Sequence, residues 1–279
     1  LHVMLHGMEV FDDGSLAVTF DAGRAIARLD ACGNATWVKR GNYHHSISSD
    51  GEGGLWVWRD EAIERLDAVT GEVTKTLDLR RDILPANGGQ DGVFSVRATI
   101  DGNGEGLAYP SDPFHANDVE PLRPEMAAAF PMFEAGDLLI SLRELNLVAV
   151  IDPDSGALRW WQHGPWLKQH DPDFQPDGTI TVYDNHTGSG ASHILRIDPA
   201  TRAVSTVYAG TEATPFYSWQ RGKHQMLPDG NVLVTEAEQG RVFEAAGGRG
   251  DVRERKKRGE RDGGEEAGGA RGGGAGVEC

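Results

Sequence analysis

Five histidines recur at matching positions, each shortly before a segment in which apolar and polar residues alternate. They are His6, His45, His115, His170 and His224. Three of them precede their segment by ten residues and one by eight, and a longer insertion follows His115. A neutral imidazole can ligate a metal ion or attack a sulfur or phosphorus atom. The recurrence therefore indicates one site assembled from several repeats.

Arg143, in ISLRELN, lies at the end of one of these alternating segments and adds a fixed positive charge to the set. Four imidazoles alone would suit iron, zinc or copper, but an arginine beside them would repel a cation. Imidazole and guanidinium together can hold a tetrahedral oxyanion, and a neutral histidine can accept a sulfuryl or phosphoryl group covalently. The residue types thus favour transfer of an anionic group without a metal. A structural role stays open for His6 and His224, which could hydrogen-bond a neighbouring repeat.

The elements that carry these residues come from an internal repeat. A glycine-containing turn followed by an alternating segment occurs five times, at Asp12–Val18, Gly51–Trp58, Ala135–Ser141, Pro176–Val182 and Pro228–Val234. A strand-turn-strand unit built on aspartate follows each of the first four, as in LVAVIDPDSGALRWW. The segments start about 39, 84, 41 and 52 residues apart, and the gap of 84 is close to two units. Periods of about 40–50 residues made of short strands and tight turns are typical of propeller blades.

We therefore predict an all-β fold, a β-propeller of five or six blades, with Val93–Pro110 as the degenerate sixth. The alternating segments are expected to form the inner strands, beginning at Leu16, Leu55, Leu139, Ile180 and Val232. The loops that enter these strands would open at one end of the central channel. Histidines from different blades must then converge, because the blades share one axis.

The propeller is predicted to span residues 1–244, and residues 245–279 are of another kind. They are rich in Gly, Arg and Glu, lack aromatic residues and contain few aliphatic ones. Such a segment cannot bury enough apolar surface to offset its ordering entropy, which predicts a disordered tail. Because the composition changes inside a strand pair, we interpret the tail as a reading-frame shift or a misjoined exon. A natural tail is the alternative.

The composition excludes several classes of partner. The formal net charge of −16 argues against binding to nucleic acid or to an anionic membrane. No run of about 18 apolar residues occurs, so no membrane-spanning segment is predicted. The chain starts at Leu1 without a charged and apolar leader, so no signal peptide is expected within it.

The sequence resembles the bacterial-type aryl sulfate sulfotransferases, which need no adenylylated sulfate donor. The likeness covers about Leu5 to Glu244 and is strongest in HANDVEPL, LISLRELNLVAVIDPDSGALRWWQHGPW and QHDPDFQPDGTITVYDN. The resemblance implies a six-bladed propeller in which a histidine accepts the sulfuryl group of an aryl sulfate and a phenol then collects it. It also implies a ping-pong transferase whose partners are these small molecules, with no cofactor and no metal.

The resemblance also implies roles for individual residues. His170 corresponds to the nucleophile of the QH…DG…DN motif, His115 to the histidine of HxN, and Arg143 to the arginine that ends the S-x-R strand. The fourth catalytic residue comes from the early histidine pair, in which the ten-residue register favours His45 over His44. The expected substrate-binding residues are His44, Asn117, His224 and Asn185.

Two other functions stay open from the sequence. One is a metal-dependent propeller enzyme with a histidine ring, and the other is a non-catalytic propeller that binds partners on its rim. The chain has fewer recognisable repeats than the six blades of the family, and an unclosed ring would leave it inactive. By resemblance alone, a periplasmic or secreted location is expected. The natural donor, the natural acceptor and the oligomeric state are not predicted.

Overall fold

Five four-stranded antiparallel sheets make up the propeller, each built from strands that are consecutive in sequence. The computed structural model describes residues 5–20, 25–89, 92–96, 99–100, 107–108, 111–246 and 252–254. Blade 1 contains β1 (Leu5–Val10), β2 (Leu16–Phe20), β3 (Ala25–Leu29) and β4 (Ala35–Arg40), and blade 2 contains β5 (Tyr43–Ser49), β6 (Gly54–Arg59), β7 (Ala62–Asp67) and β8 (Val73–Asp78). The predicted all-β propeller is thus confirmed, with five blades in the described part of the chain.

The segment between blades 2 and 3 does not form a four-stranded blade in its described part. It contains a π-helical turn at Leu79–Ile83, a short helix at Leu84–Ala86 and a two-stranded ribbon of β9 (Thr99–Ile100) and β10 (Leu107–Ala108). Residues 97–98, 101–106 and 109–110 of the expected sixth unit lie outside the described residues. The long gap in the repeat is therefore an insertion that carries the chain from one blade to the next.

The remaining three blades follow in sequence order. Blade 3 contains β11 (Ala116–Pro121), β12 (Leu138–Leu142), β13 (Leu147–Ile151) and β14 (Leu158–His163). Blade 4 contains β15 (His170–Phe174), β16 (Ile180–Asp184), β17 (His193–Ile197) and β18 (Val204–Ala209), and blade 5 contains β19 (Lys223–Met226), β20 (Val232–Glu236), β21 (Arg241–Ala245) and β22 (Val252–Glu254). Two 3₁₀ turns, Ala127–Ala129 and Arg143–Leu145, lie within blade 3.

Apolar clusters between consecutive blades hold the sheets together. Blades 1 and 2, 2 and 3, 3 and 4, and 4 and 5 each share one such cluster. The described residues of blades 5 and 1 share no apolar cluster. Trp58, for example, is fully buried between blades 2 and 3, and its indole nitrogen donates to the carbonyl of Asp118 over 2.8 Å. Burying a large apolar side chain is worth roughly 1.5–3 kcal/mol, so these interfaces fix the relative positions of the blades.

The innermost strands are not the ones expected from the sequence. Leu16, Leu55, Leu139, Ile180 and Val232 lie on the second strand of each blade. The first strands β1, β5, β11 and β15 instead contact their neighbours around the axis. First strands such as HDPDF and ANDVEP carry polar residues and proline, because they face a channel and not an apolar core. They therefore lack the alternation that marks a strand in sequence.

The predicted boundary at residues 244/245 is also shifted. Ala245 is the last residue of β21, and it pairs with Val252 of β22. A backbone ladder needs no apolar side chain, which explains why composition missed this strand. Residues 247–251 and 255–279 of the expected tail lie outside the described residues. Among the residues that are described, no helix has the length and apolar character needed to cross a lipid bilayer.

Candidate active site

A β-bulge lies at the start of the first strand in each of blades 1 to 4. The register of these strands shifts between Leu5 and Met8, His44 and Ile47, Ala116 and Asp118, and His170 and Asp173. At or next to three of these bulges, one residue has a positive φ: 58° at His45, 45° at His115 and 54° at Asp171. A bulge re-aims a side chain relative to the pleat of its sheet. The repeated bulge is what turns the repeated histidine toward the axis.

Histidines from four blades meet at one end of the channel. The ring centroid of His45 lies 4.2 Å from that of His6, 5.3 Å from that of His115 and 6.3 Å from that of His170. Together with His44 and Arg143 they line a cavity of about 520 Å³. The structure thus brings together all four residues expected to be catalytic. We call the set of His6, His44, His45, His115, His170 and Arg143 the mouth cluster.

His170 is held in one tautomer by its neighbour in the same sheet. Its Nδ1 lies 2.7 Å from Oδ1 of Asn185, whose amide nitrogen donates to the carbonyls of Ser218 and Arg221 over 2.7 and 3.0 Å. These two donations fix the Asn185 amide so that its oxygen faces the ring. Nδ1 of His170 must therefore carry the proton, and Nε2 keeps its lone pair. Asn185 is thus placed to orient His170.

The surroundings of His170 keep it neutral. Burial is the main cause that lowers its pKa, from 6.5 to about 3, and the positive charge of Arg143 and the nearby His115 act in the same direction. The hydrogen bond that Nδ1 of His170 donates to Asn185 and the negative charge of Asp171 oppose this shift only in part. A neutral imidazole with a free Nε2 is a nucleophile at any physiological pH.

The early histidine pair forms a hydrogen-bonded chain. Nε2 of His44 lies 2.9 Å from the carbonyl of Asp60 and must donate to it, so Nδ1 of His44 accepts from Nδ1 of His45 over 2.8 Å. Nε2 of His45 is then unprotonated, and burial together with the surrounding histidines lowers the pKa of His45 well below its usual value. His45 is thus held neutral, with Nε2 able to accept a hydrogen bond, while His44 orients it.

A close approach of blades 1 and 2 fixes the position of His45. A Cβ atom on Gly7 would lie 1.8 Å from the His45 carbonyl oxygen, so only glycine fits there. The hydroxyl of Thr19 accepts from the Gly7 amide over 2.8 Å and donates to the same carbonyl over 3.1 Å. Contacts from Gly7 and Thr19 of blade 1 therefore hold the bulge at His45 in place.

His115 has a carboxylate partner that sequence reasoning missed. Nδ1 of His115 lies 2.7 Å from Oδ2 of Asp112, and the His115 amide donates to Oδ1 of the same residue over 3.0 Å. The hydrogen bond from His115 is the main cause that lowers the pKa of Asp112. The carboxylate therefore orients the ring. The spacing of three residues in SDPFHAN could have identified this pair.

Arg143 offers a donor that the protein leaves unused. Its side chain is 14% exposed and pairs with Glu144 over 2.7 Å, and Lys168 pairs with the same carboxylate. Its Nε is buried with no hydrogen-bond partner. A buried N–H without a partner costs free energy unless a ligand satisfies it, so this guanidinium is suited to an anion.

Asn117 and His224, also expected to contact substrate, have structural partners. Asn117 donates to the carbonyl of Gln169 over 2.8 Å and so supports the backbone just before His170. His224 is fully buried between blades 4 and 5, with Nδ1 3.0 Å from Asp171 and Nε2 2.7 Å from the Thr181 hydroxyl. Both nitrogens of His224 are engaged, which leaves no atom for a substrate. Strand β19 has no bulge, so this histidine keeps the ordinary pleat.

Several acidic residues lie in the channel next to the mouth cluster. Lys223 pairs with Asp118 and Asp171, and a cavity of about 270 Å³ joins these residues to His170. Burial is the main cause that raises the pKa of Glu120 to about 8 and that of Asp118 to about 6. Carboxylates thus line both cavities, because Asp60, Glu61 and Asp112 also line the cavity of the mouth cluster.

Two groups in the described part of the chain have ligand atoms close enough to share a metal ion. They are Asp184, His186 and His193, and Asp171, Asp173 and His224. Neither group includes a residue of the mouth cluster. The mouth cluster is instead suited to an anion, because its side chains offer neutral imidazoles, one guanidinium and an unused N–H donor.

Solved structures with similar folds share little sequence with this chain. A virginiamycin B lyase from Staphylococcus aureus has a TM-score of 0.52 at 14% identity, with 91% of this chain and 70% of that chain covered. A protein of unknown function from Bacteroides caccae has a TM-score of 0.55 at 11% identity, with 87% and 77% covered. At such identities the likeness concerns the fold alone. No curated protein shows a significant match to the sequence.

A family model provides the identification. The model described as arylsulfotransferase (ASST) matches residues 7–252, which include all or most of each of the five blades and every residue of the mouth cluster except His6. This match covers far more than half of the chain. The protein belongs to the arylsulfotransferase (ASST) family.

Proposed function

We propose that the protein transfers a sulfuryl group from an aryl sulfate to a phenolic acceptor through a covalent sulfohistidine at His170. One observation carries this proposal: His170, whose Nδ1 is engaged by Asn185 and whose Nε2 keeps its lone pair, lines the same cavity as Arg143, His45 and His115. Family membership supports aryl sulfate sulfotransfer in general. The covalent intermediate and the ping-pong order are inferred from the arrangement of these side chains.

In the first half-reaction, the sulfuryl oxygens of the donor lie against Arg143 and His115. Nε2 of His170 attacks the sulfur in line, a nitrogen–sulfur bond forms, and the sulfur–oxygen bond to the aryl group breaks. The electron pair of that bond leaves with the phenolate oxygen. Transfers of this kind have loose transition states, so positioning and charge stabilisation supply most of the rate.

We assign the proton transfers to His115. Its Nδ1 is held by Asp112, so Nε2 can give a proton to the leaving phenolate when the ring is protonated. His45 is the less suitable acid because its lowered pKa disfavours the protonated form. In the second half-reaction His115 takes the proton of the acceptor phenol. The phenolate oxygen then attacks sulfur, and the nitrogen–sulfur bond to His170 breaks.

The proposed site depends on blades 1 to 4 and not on closure of the ring. His45 lies in blade 2, His115 and Arg143 in blade 3, and His170 in blade 4. Apolar clusters join these blades pairwise. Blade 5 contributes none of the reacting groups, so we expect the protein to be active with the five blades described.

The experiment that tests this function uses 4-nitrophenyl sulfate. In the absence of acceptor, the protein should release one equivalent of nitrophenolate and gain the mass of one sulfuryl group, located in the peptide that contains His170. Added phenol should restore turnover and remove the added mass. Steady turnover with no covalent intermediate would contradict the ping-pong mechanism, and no release of nitrophenolate at all would contradict the proposed activity.

A further inference from the structure

A second group of histidines lies on the hairpin of β16 and β17, outside the mouth cluster. Asp184 ends β16 and pairs across the sheet with His193, the first residue of β17, and His186 follows Asp184 by two residues. Nδ1 of His186 and Nδ1 of His193 lie 3.1 and 3.0 Å from the same atom, Oδ2 of Asp184. The two rings stand nearly perpendicular, with centroids 5.3 Å apart. Three potential ligand atoms thus point at one spot.

The carboxylate at the centre of this group is fixed by the backbone. Oδ1 of Asp184 accepts from the amides of Leu167 and His186, both over 2.9 Å. The Asp184 side chain is 2% exposed, while those of His186 and His193 are 33% and 28% exposed. Oδ2 is therefore held in place for the two rings, and the side of the group formed by the rings is open to solvent.

The geometry points to a divalent transition-metal site of the zinc class at Asp184, His186 and His193. Tetrahedral zinc with ordinary bond lengths separates its ligand atoms by about 3.3–3.5 Å. The observed oxygen–nitrogen distances are shorter by only a few tenths of an ångström, and all three ligand atoms lie within 4.8 Å of one another. On binding, each Nδ1 proton moves to Nε2 through solvent, and water takes the fourth position.

The ligand set selects the class of metal. Two imidazoles and one carboxylate suit zinc and related transition metals, whereas calcium and magnesium require six or more oxygen ligands. The other group with close ligand atoms, which contains Asp171 and His224, is a poorer candidate. Lys223 already pairs with Asp171 there, and a hydroxyl engages the second nitrogen of His224. In the group of Asp171, Asp173 and His224, the ammonium of Lys223 therefore already takes the place that a metal ion would occupy.

His186 has a strained backbone conformation, which is consistent with a role in metal binding. Its φ is 44°, in the left-handed region that glycine prefers. This conformation turns the ring back over Asp184. Such strain persists when other interactions hold the residue in place, and it is common at binding sites.

The site would also influence the mouth cluster through one residue. Asn185 lies between Asp184 and His186 in sequence and orients His170. A metal ion bound on both sides of the hairpin would hold this segment more firmly. The inference does not require the proposed sulfotransfer, because metal binding is measured directly.

The test measures zinc binding to untagged protein that has been stripped with EDTA. Calorimetric titration with zinc chloride at pH 7.5 should show a site that His193→Ala and Asp184→Asn weaken by at least about tenfold. His163→Ala changes an exposed histidine outside both histidine groups and should bind as the wild type does. His170→Ala should also retain the site, which separates it from zinc bound by the mouth cluster. Calcium and magnesium should give no saturable binding.

His186→Gly keeps the test valid if the other variants fold poorly. Glycine relieves the left-handed strain, so this variant should unfold at the same or a higher temperature than the wild type in EDTA. Zinc should raise the unfolding temperature of the wild type by several degrees and that of His186→Gly by much less. Wild-type protein that binds no zinc, or that binds it equally well after His186→Gly or His193→Ala, would overturn the inference.

Discussion

Two groups of histidines lie close together at the same end of blade 4, yet their surroundings give them opposite chemistry. In the mouth cluster, His170 and His45 are buried beside Arg143 and other imidazoles, and burial lowers their pKa values. In the hairpin group, His186 and His193 are partly exposed and share a buried carboxylate of Asp184. The first arrangement disfavours any cation, and the second attracts one.

The comparison shows that residue type alone does not decide what a histidine cluster binds. A guanidinium with an unused N–H makes the mouth cluster receptive to an anion, and a single fixed carboxylate oxygen makes the hairpin group receptive to a metal. Asn185 connects the two, since it orients His170 and lies between two residues of the hairpin group. A substitution in one group should therefore affect the other only indirectly, through the position of Asn185.

The largest expected effect is that of His170→Ala. Removal of the nucleophile should abolish both nitrophenolate release and covalent labelling, because Nε2 of His170 carries the sulfuryl group in the proposed mechanism. The rate of colour release from 4-nitrophenyl sulfate with added phenol measures the first, and intact mass measures the second. His163→Ala is the matched control and should keep full activity. Activity in His170→Ala, or a sulfuryl group mapped to another residue, would contradict the assignment.

The next largest effect concerns the anion-binding character of the mouth cluster. Arg143→Ala should slow transfer by roughly 10²–10³-fold, the usual cost of removing one oxyanion-stabilising donor. Arg143→Lys should restore only part of the rate, because an ammonium group cannot reproduce a bidentate fork. The ratio of kcat/KM values for the three proteins gives the result. Equal rates for Arg143→Ala and the wild type would show that the guanidinium does not contact the sulfuryl oxygens.

A smaller effect is expected for Asp112→Asn, which removes the carboxylate behind His115. An amide can still accept the Nδ1 hydrogen bond, but it lacks the negative charge that the carboxylate places behind the ring. Transfer should fall by about tenfold or more, and the fall should shrink for donors with better leaving groups that need no proton. A series of phenyl sulfates of decreasing phenol pKa measures this trend. An equal loss for every donor would indicate that Asp112 has only a structural role.

Much of this architecture could be predicted from the sequence, and the failures have a common physical cause. Turns and alternating segments revealed the blades because they reflect backbone geometry and apolar packing. The first strands and the last strand were missed, since HDPDF and the segment at Val252–Glu254 form ladders without an apolar pattern. The roles proposed for His170 and Arg143 come from family resemblance, because composition cannot supply them.

His224 shows where register alone was insufficient. It occupies the repeated position, yet its strand lacks the bulge found in blades 1 to 4, so its ring points between blades. A bulge depends on the pairing partner across the sheet, which a single repeat does not reveal. Asp112 was missed for the opposite reason, because it lies in an insertion that has no counterpart in the other repeats.

The smallest expected effect tests whether His170 is neutral in the folded protein. Its pKa is about 3 when folded and about 6.5 when unfolded, so below pH 6.5 the unfolded chain binds more protons. The free energy of unfolding should therefore fall as the pH drops from 7.5 to 5.0. His170→Gln cannot titrate and should lose less stability over this interval, by a difference of the order of 1 kcal/mol. Raised carboxyl pKa values such as that of Glu120 act in the opposite direction, but they are common to both proteins and cancel in the comparison.

Urea unfolding at the two pH values gives the four free energies required, and His163→Gln is the exposed control. An identical pH dependence for wild type and His170→Gln would mean that His170 is protonated as readily in the folded state as in the unfolded chain. It could not then serve as a neutral nucleophile near pH 6, and the contrast between the two histidine groups would fail at its most buried member.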